Sequence, residues 1–396
     1  MIADYEKKVY AAVLGKVLGV YAGRPFEGWP KERLAERFGV VDRYVNEDLG
    51  CPDVVVVDDD VSGTLTFVRA LADSGAYAAT SPAAFGECWL NYLLENQTVL
   101  WWGGFGRSTE HTAFLRLKSG VPAPRSGSMA LNGRTVSEQI GAQIFIDAFG
   151  MVAPGRPEEA ARLAKMAAQV SHDGEAVYAA QVVAAMVSVA FVESDMEKIL
   201  DRGVACVPAD CLIARLHREV RAWAREDGDW QRTYERIAAK YGYDKFGGCC
   251  HVVPNHALMV MAWAYAGADF HRAMQIVNTA GWDTDCNAGN VGCVCALAAG
   301  LEHLADGYDY DAPVAGRVVI GAAEGSMTTA DVLRQAQMIA RIGRRVMGWP
   351  DAPAPKGGAW MHFSQPGARQ GWLPDESAGF PARGNAATAN PDGAGL

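Results

Sequence analysis

The sequence has no run of about 18 uncharged apolar residues, so no membrane-spanning helix is expected. Its opening, MIADYEKKVY, carries charge up to Lys8 and lacks the basic-then-apolar order of a secretory leader. Positive charge is outnumbered: 36 Lys and Arg face 46 Asp and Glu, a net charge of −10. That balance argues against nucleic acid as a partner, because phosphate binding wants clustered Lys and Arg. The nine cysteines are odd in number and none shows CxxC spacing, which argues against a disulfide framework or a zinc site. Reduced thiols in a cytoplasm are the expectation.

Half of the residues are apolar and 21% are charged, the composition of a folded globular chain. Convincing strands are scarce. Segment 53–57 (DVVVV) is strand-like by propensity, or an extended approach to the acidic residues at 58–60. Elsewhere apolar residues recur at three-to-four spacing, punctuated by Gly and Pro, over 6–20, 61–72, 85–94, 136–149, 157–171, 174–193, 209–226, 229–241, 255–266, 269–280, 284–304 and 328–347. The expectation is an all-α fold, with one catalytic domain over 1–348 and a Pro/Gly/Ala-rich tail over 349–396. Residues 96–135, which begin near Trp101-Trp102-Gly103-Gly104, read as a long ordered loop insert.

Two motifs crowd carboxylates at helix entries. In Asp58-Asp59-Asp60-Val61-Ser62, three adjacent acids need a cation or a helix N-terminus to offset their repulsion. The plain reading is a helix cap, with Asp60 capping; the other is a hard cation such as Mg²⁺, Mn²⁺ or Ca²⁺. In Gly281-Trp282-Asp283-Thr284-Asp285-Cys286, two acids on one turn precede an Ala/Gly-rich helix and can aim at one point. Each motif alone is a cap candidate. Together they favour a shared metal site. Glu27, between Phe26 and Gly28, and His172, in Ser171-His172-Asp173-Gly174, are unremarkable by themselves.

In order along the chain, GKVLGVYAGRPFEG, DDDVSGTLTFVRAL, SHDGEA and GWDTDCNAGNVG resemble the signatures of the ADP-ribosylglycohydrolase family over about residues 8–300. The resemblance implies a compact helical fold whose cleft holds two divalent cations, Mg²⁺ first and Mn²⁺ as the alternative. By position, Asp59 and Asp60 match the family's paired aspartates, and Asp283 and Asp285 its late ligands. Asp58 falls where many members have a Thr ligand. Cys286 falls where many have Thr or Ser, and a thiol is a poor Mg²⁺ ligand. The implied metal set is therefore Asp58, Asp59, Asp60, Asp283, Asp285 and Cys286. Glu27 and Asp60 are the implied catalytic pair, and His172, Trp102 and Gln143 the substrate contacts. The implied reaction is hydrolysis at the anomeric carbon of a ribosyl or ADP-ribosyl group, through water activated between two metals.

One departure bears on substrate. Where ADP-ribose-cleaving members carry an Arg-containing glycine-rich stretch, this chain has Gln139–Asp147 without Arg, and the Trp-rich insert offers aromatic faces for a base or sugar. A smaller, nucleoside-like glycoside is at least as good an expectation as ADP-ribosyl protein. Two other classes fit the residues less well. A non-catalytic, crystallin-like metal- or nucleotide-binding protein on this fold should have lost its carboxylates, and none is lost. A Mg²⁺-dependent terpene synthase needs DDxx(D/E), but Ser62 and Gly63 break that motif.

Overall fold

The computed structural model of the chain describes residues 1–325, 328–353 and 365–367, so most of the expected 349–396 tail lies outside the described residues. The helices that frame the site are α1 (Tyr5–Gly23), α2 (Asp59–Phe67), α3 (Thr109–Lys118), α4 (Glu175–Ala190), α5 (Val252–Ala266), α6 (Thr284–Ala299) and α7 (Val332–Val346). Strand is confined, among the described residues, to two short antiparallel ribbons. One pairs β1 (Trp29–Pro30) with β2 (Gly281–Trp282), the other β3 (Arg317–Val319) with β4 (Thr329–Asp331). The all-α reading holds. No helix among the described residues is long and apolar enough to cross a membrane.

The centre of the fold is the pair α1 and α6, both almost wholly buried. Glycines four apart let them touch backbone to backbone. A Cβ on Gly15, Gly19 or Gly23 would stand 2.4, 2.1 or 2.4 Å from main-chain atoms of Gly292, Ala288 and Thr284 respectively. No side chain fits there, so the sequence spends Gly where a larger residue would separate the helices. The Thr284 hydroxyl donates to the Gly23 carbonyl at 2.7 Å, tying the end of α1 to the start of α6. α7 packs on the other flank of α1, and the buried helices α4 and α5 complete the layer around α6.

Local expectations failed where tertiary contacts redirected the backbone. The 96–135 insert is not all loop: Ser108 accepts from the His111 N–H at 3.1 Å and starts α3. The 136–149 helix is instead three short turns, Arg134–Ser137, Gly141–Ile144 and Asp147–Met151. The Ile144 carbonyl explains part of this, since it accepts from Lys16 Nζ at 2.8 Å and Thr64 Oγ1 at 3.0 Å. Met196–Val204 is a helix that the pattern did not predict. Segment 53–57 stays extended, with only Val57 bridged to Val319. Asp58, and not Asp60, is the cap of α2, its carboxylate accepting from the Val61 N–H at 3.4 Å.

Candidate metal centre

Three segments bring carboxylates to one point. α2 starts with Asp58, Asp59 and Asp60, α6 with Asp283 and Asp285, and Glu27 follows α1. One donor atom each from Asp60, Asp285 and Cys286 lies within 4.8 Å of the others, and the same holds for Glu27, Asp283 and Asp285 and for Asp58, Asp59 and Asp60. The β1–β2 pairing sets the meeting of the Glu27 and Asp283 segments, with Trp29 opposite Trp282. Trp282 sits at φ 67°, a left-handed conformation that costs a non-glycine residue on the order of 1–3 kcal/mol. Its ring is wedged between Tyr234 and Tyr243, at centroid distances of 5.5 and 5.3 Å, which holds the strained turn. Asn255 then orients the next residue: its Oδ1 accepts from the Asp283 N–H at 3.4 Å and from Asn287 at 3.1 Å.

Burial makes this charge expensive. Asp58, Asp60, Asp283 and Asp285 are buried, Asp59 is half-buried, and Glu27 is exposed. Burial, followed by the neighbouring acids, pushes Asp58 up to about 7 and Asp283 to about 8, and holds Asp60 and Asp285 well above the usual carboxylate range. Glu27 is raised by lost hydration in the cleft and by Asp59. Two protein cations offset part of the charge. Arg24 Nε donates to Asp58 Oδ2 at 2.8 Å. Lys16, a buried cation beneath the cluster, lies 3.8 Å from Asp60 and 3.1 Å from Asp147.

The remaining groups suit a divalent cation. Asp283 Oδ2 is a fully buried oxygen with no hydrogen-bond partner, a costly arrangement unless something positive meets it, and Asp60 Oδ1, likewise without a hydrogen bond, has only the Lys16 ammonium at 3.8 Å. The donors are carboxylate oxygens, the set hard cations take. Six carboxylates against one guanidinium and an ammonium shared with Asp147 leave an excess of negative charge that divalent cations would offset. Asp58 is the least available, because Arg24 and the α2 cap already engage it. Cys286 adds a soft sulfur, its thiol donating to Asp60 Oδ2 at 3.5 Å.

The three expected substrate contacts do not join the cluster in the same way. His172 is buried and neutral, its pKa held down to about 3 by burial. Its Nδ1 meets Ser171 Oγ at 2.7 Å and its Nε2 the Ala142 N–H at 3.3 Å, so both ring nitrogens are engaged. Gln143 is a core residue and not a surface for substrate. It is fully buried, with its Oε1 2.6 Å from His256 Nδ1 and its Nε2 3.0 Å from the Met259 sulfur. Trp102 is half-buried against His111 and Phe114, with its indole N–H donated to the Thr98 carbonyl at 2.6 Å.

The pattern missed three residues. Lys16 was visible as the one cation in the apolar stretch of α1 after Lys8. Asn255 carried no signal. Glu110 lies at the start of α3, buried, 3.7 Å from His172 Nε2, and burial with help from the Asp59 charge pushes it up to about 7. A Cβ on Gly141 would fall 1.8 Å from Glu110 Oε1, so that glycine leaves room for the carboxylate.

The sequence profile of a family described as ADP-ribosylglycohydrolase matches residues 1–315. Among solved structures, one titled "ADP-ribosylglycohydrolase-related protein complex" superposes with a TM-score of 0.54 at 18% identity, covering 87% of this chain and 99% of that one. At that identity the likeness bears on the fold alone. No curated protein matches the sequence.

Proposed function

This chain belongs to the ADP-ribosylglycohydrolase family, and on that premise we propose that it hydrolyses the anomeric bond of a ribosyl or ADP-ribosyl group with two divalent cations, Mg²⁺ in preference to Mn²⁺. The observation that carries this reading is the convergence of acids from three distant segments, with buried oxygens of Asp60 and Asp283 left without a hydrogen bond. Asp59, Asp60, Asp283 and Asp285 would hold the cations, with Asp58 and Cys286 as weaker contributors. Bound there, the cations would supply Lewis acidity that makes water a stronger nucleophile and would orient a ribose diol.

The chain's own groups do the rest. Glu27, exposed yet raised in pKa, is placed to accept a proton from the attacking water. Asp60, steadied by Lys16, is the second catalytic candidate. The surrounding carboxylates stabilise positive charge as it develops on the sugar ring. His172 acts by positioning Ala142, since its nitrogens are engaged. Gln143, locked in the core, makes no contact with substrate, and Trp102 offers an aromatic face for a base. With no Arg in 139–147, a small ribosyl or nucleoside-like glycoside fits the site at least as well as an ADP-ribosyl protein.

The test is a hydrolysis screen with Mg²⁺ or Mn²⁺ over ADP-ribosyl-arginine, ADP-ribosyl-serine, ADP-ribose derivatives and plain nucleosides. Cation-dependent release of an aglycone from one class supports the reading. Tight binding of two cations without turnover on any of them would favour a non-catalytic binding role. Failure to bind cations at all would overturn the site.

A further inference from the structure

Beside the carboxylate cluster lie two thiols for which the proposed hydrolysis has no use. Cys249 and Cys250 are adjacent in sequence, and their sulfurs are 3.5 Å apart. In an extended strand successive side chains point to opposite faces, so this approach has to be built. Gly248, at φ 106°, turns the chain just before the pair. The Gln139 carboxamide then grips the turn from both sides. Its Nε2 donates to the Gly247 carbonyl and its Oε1 accepts from the Cys250 N–H, each at 3.1 Å. The Ile140 N–H adds a bond to the Cys250 carbonyl at 2.9 Å.

The pair is also reachable and lies within electrostatic reach of the acids. Cys249 is exposed and Cys250 half-buried, whereas Cys88, Cys211, Cys286, Cys293 and Cys295 are buried. The Glu27 charge opposes ionisation of Cys249, and those of Asp283 and Glu110 oppose ionisation of Cys250. We propose that Cys249 and Cys250 form a peroxide-reactive dithiol beside the carboxylate cluster, which closes to a vicinal disulfide and weakens cation binding there.

The chemistry balances with hydrogen peroxide as oxidant. The two sulfurs share a contact in which either can donate, and a hydrogen bond from Cys250 favours the thiolate form of Cys249. That thiolate attacks one peroxide oxygen, breaking the O–O bond to give a sulfenic acid and, after protonation, water. Cys250 sulfur then attacks the Cys249 sulfur and expels the hydroxyl as a second water. Two thiols are oxidised and one peroxide is reduced. The sulfurs must close to about 2.0 Å, a movement of about 1.5 Å carried by the loop.

The full-length reduced protein is treated with one equivalent of peroxide, capped with iodoacetamide and digested. The expected result is that the peptide holding Cys249 and Cys250 loses the mass of two hydrogens, takes no cap, and recovers both caps after dithiothreitol. Cys249→Ser should show no such species. Two caps after peroxide, a sulfonic acid, or a bond between chains would overturn the dithiol. Mn²⁺ affinity is read in parallel, and this arm rests on the proposed cation site. Oxidised wild type should bind several-fold more weakly than reduced, with no change for treated Cys249→Ser. Unchanged affinity in a protein that carries the disulfide refutes the coupling to the cleft. Absence of Mn²⁺ binding in the reduced protein refutes the cation site instead, and the mass result alone then decides the dithiol.

Discussion

Gly28 donates its backbone N–H to the Trp282 carbonyl at 2.7 Å. One hydrogen bond thus locks the residue after Glu27 to the residue before Asp283. Two acids more than 250 positions apart are set by main-chain geometry, and the glycine contacts of α1 and α6 hold the two segments in place. The site is therefore rigid where the charge is densest, as pre-organised catalysis requires.

Asp283→Asn and Asp60→Asn keep the shape and remove a charge from the cluster. Each is expected to lower turnover by more than about 100-fold, because even groups that merely orient metal ligands are worth roughly 10–100-fold. Circular dichroism should show an intact helical fold, and calorimetry a lost or weakened cation. Near-native turnover in either variant would remove that residue from the metal set.

Lys16→Met leaves Asp147 and Asp60 without their ammonium in a buried site. Stranding such a charge costs on the order of 3–5 kcal/mol, measurable as a shift in the urea midpoint. The double variant Lys16→Met/Asp147→Asn should recover much of that loss. If the single and double variants are equally unstable, the ion pair is not what Lys16 contributes.

The metal-free protein should lose stability as pH rises. Asp58 and Asp283, at about 7 and about 8, keep protons in the folded state that the unfolded chain releases near pH 4. Where the folded chain binds more protons, raising the pH favours unfolding. Below pH 6.5 buried His172, His256 and His251, held down to about 3, 3 and 4, act in the opposite sense. The melting temperature in chelator should therefore fall from about pH 6.5 to about pH 8, and saturating Mg²⁺ should flatten that slope. A slope of the same size with Mg²⁺ present would separate these acids from cation binding.

Cys286→Ser replaces a soft donor beside Asp60 with a hard one. Mg²⁺ affinity should rise relative to that for Mn²⁺ in competition titrations. An unchanged ratio would place the sulfur outside the coordination sphere.

Gly19→Ala would put a Cβ 2.1 Å from the Ala288 carbonyl oxygen. Backbone cannot yield like a side-chain tip, so a cost of about 1–3 kcal/mol or more is expected in chemical unfolding. Cation affinity should fall as well, since α1 and α6 carry two sides of the site.

Much of the helical pattern was legible because caps and periodicity are local. Helix breaks at 136–149 were not, because Lys16 and Thr64 capture the Ile144 carbonyl from far along the chain. The α3 helix hid inside a Gly-, Ser- and Arg-rich stretch whose composition imitates a loop, although Ser108 was a legible cap. The aspartates at 58–60 and at 283 and 285 were visible as motifs, while Gln143 lay in a plausible position and proved to be core.

By itself the sequence determined the residue types: small residues every fourth position in α1, carboxylates at two helix entries, and a lysine, Lys16, in the apolar stretch of α1. Only the tertiary structure decided which of them meet. Cys286 and Asp60, 226 positions apart, come within 3.5 Å, and Lys16 reaches Asp60 and Asp147 together. Local preference acts over a few residues, whereas the separation of distant side chains, and with it their pKa values and their fitness for a cation, exists only once the helices pack and exclude water.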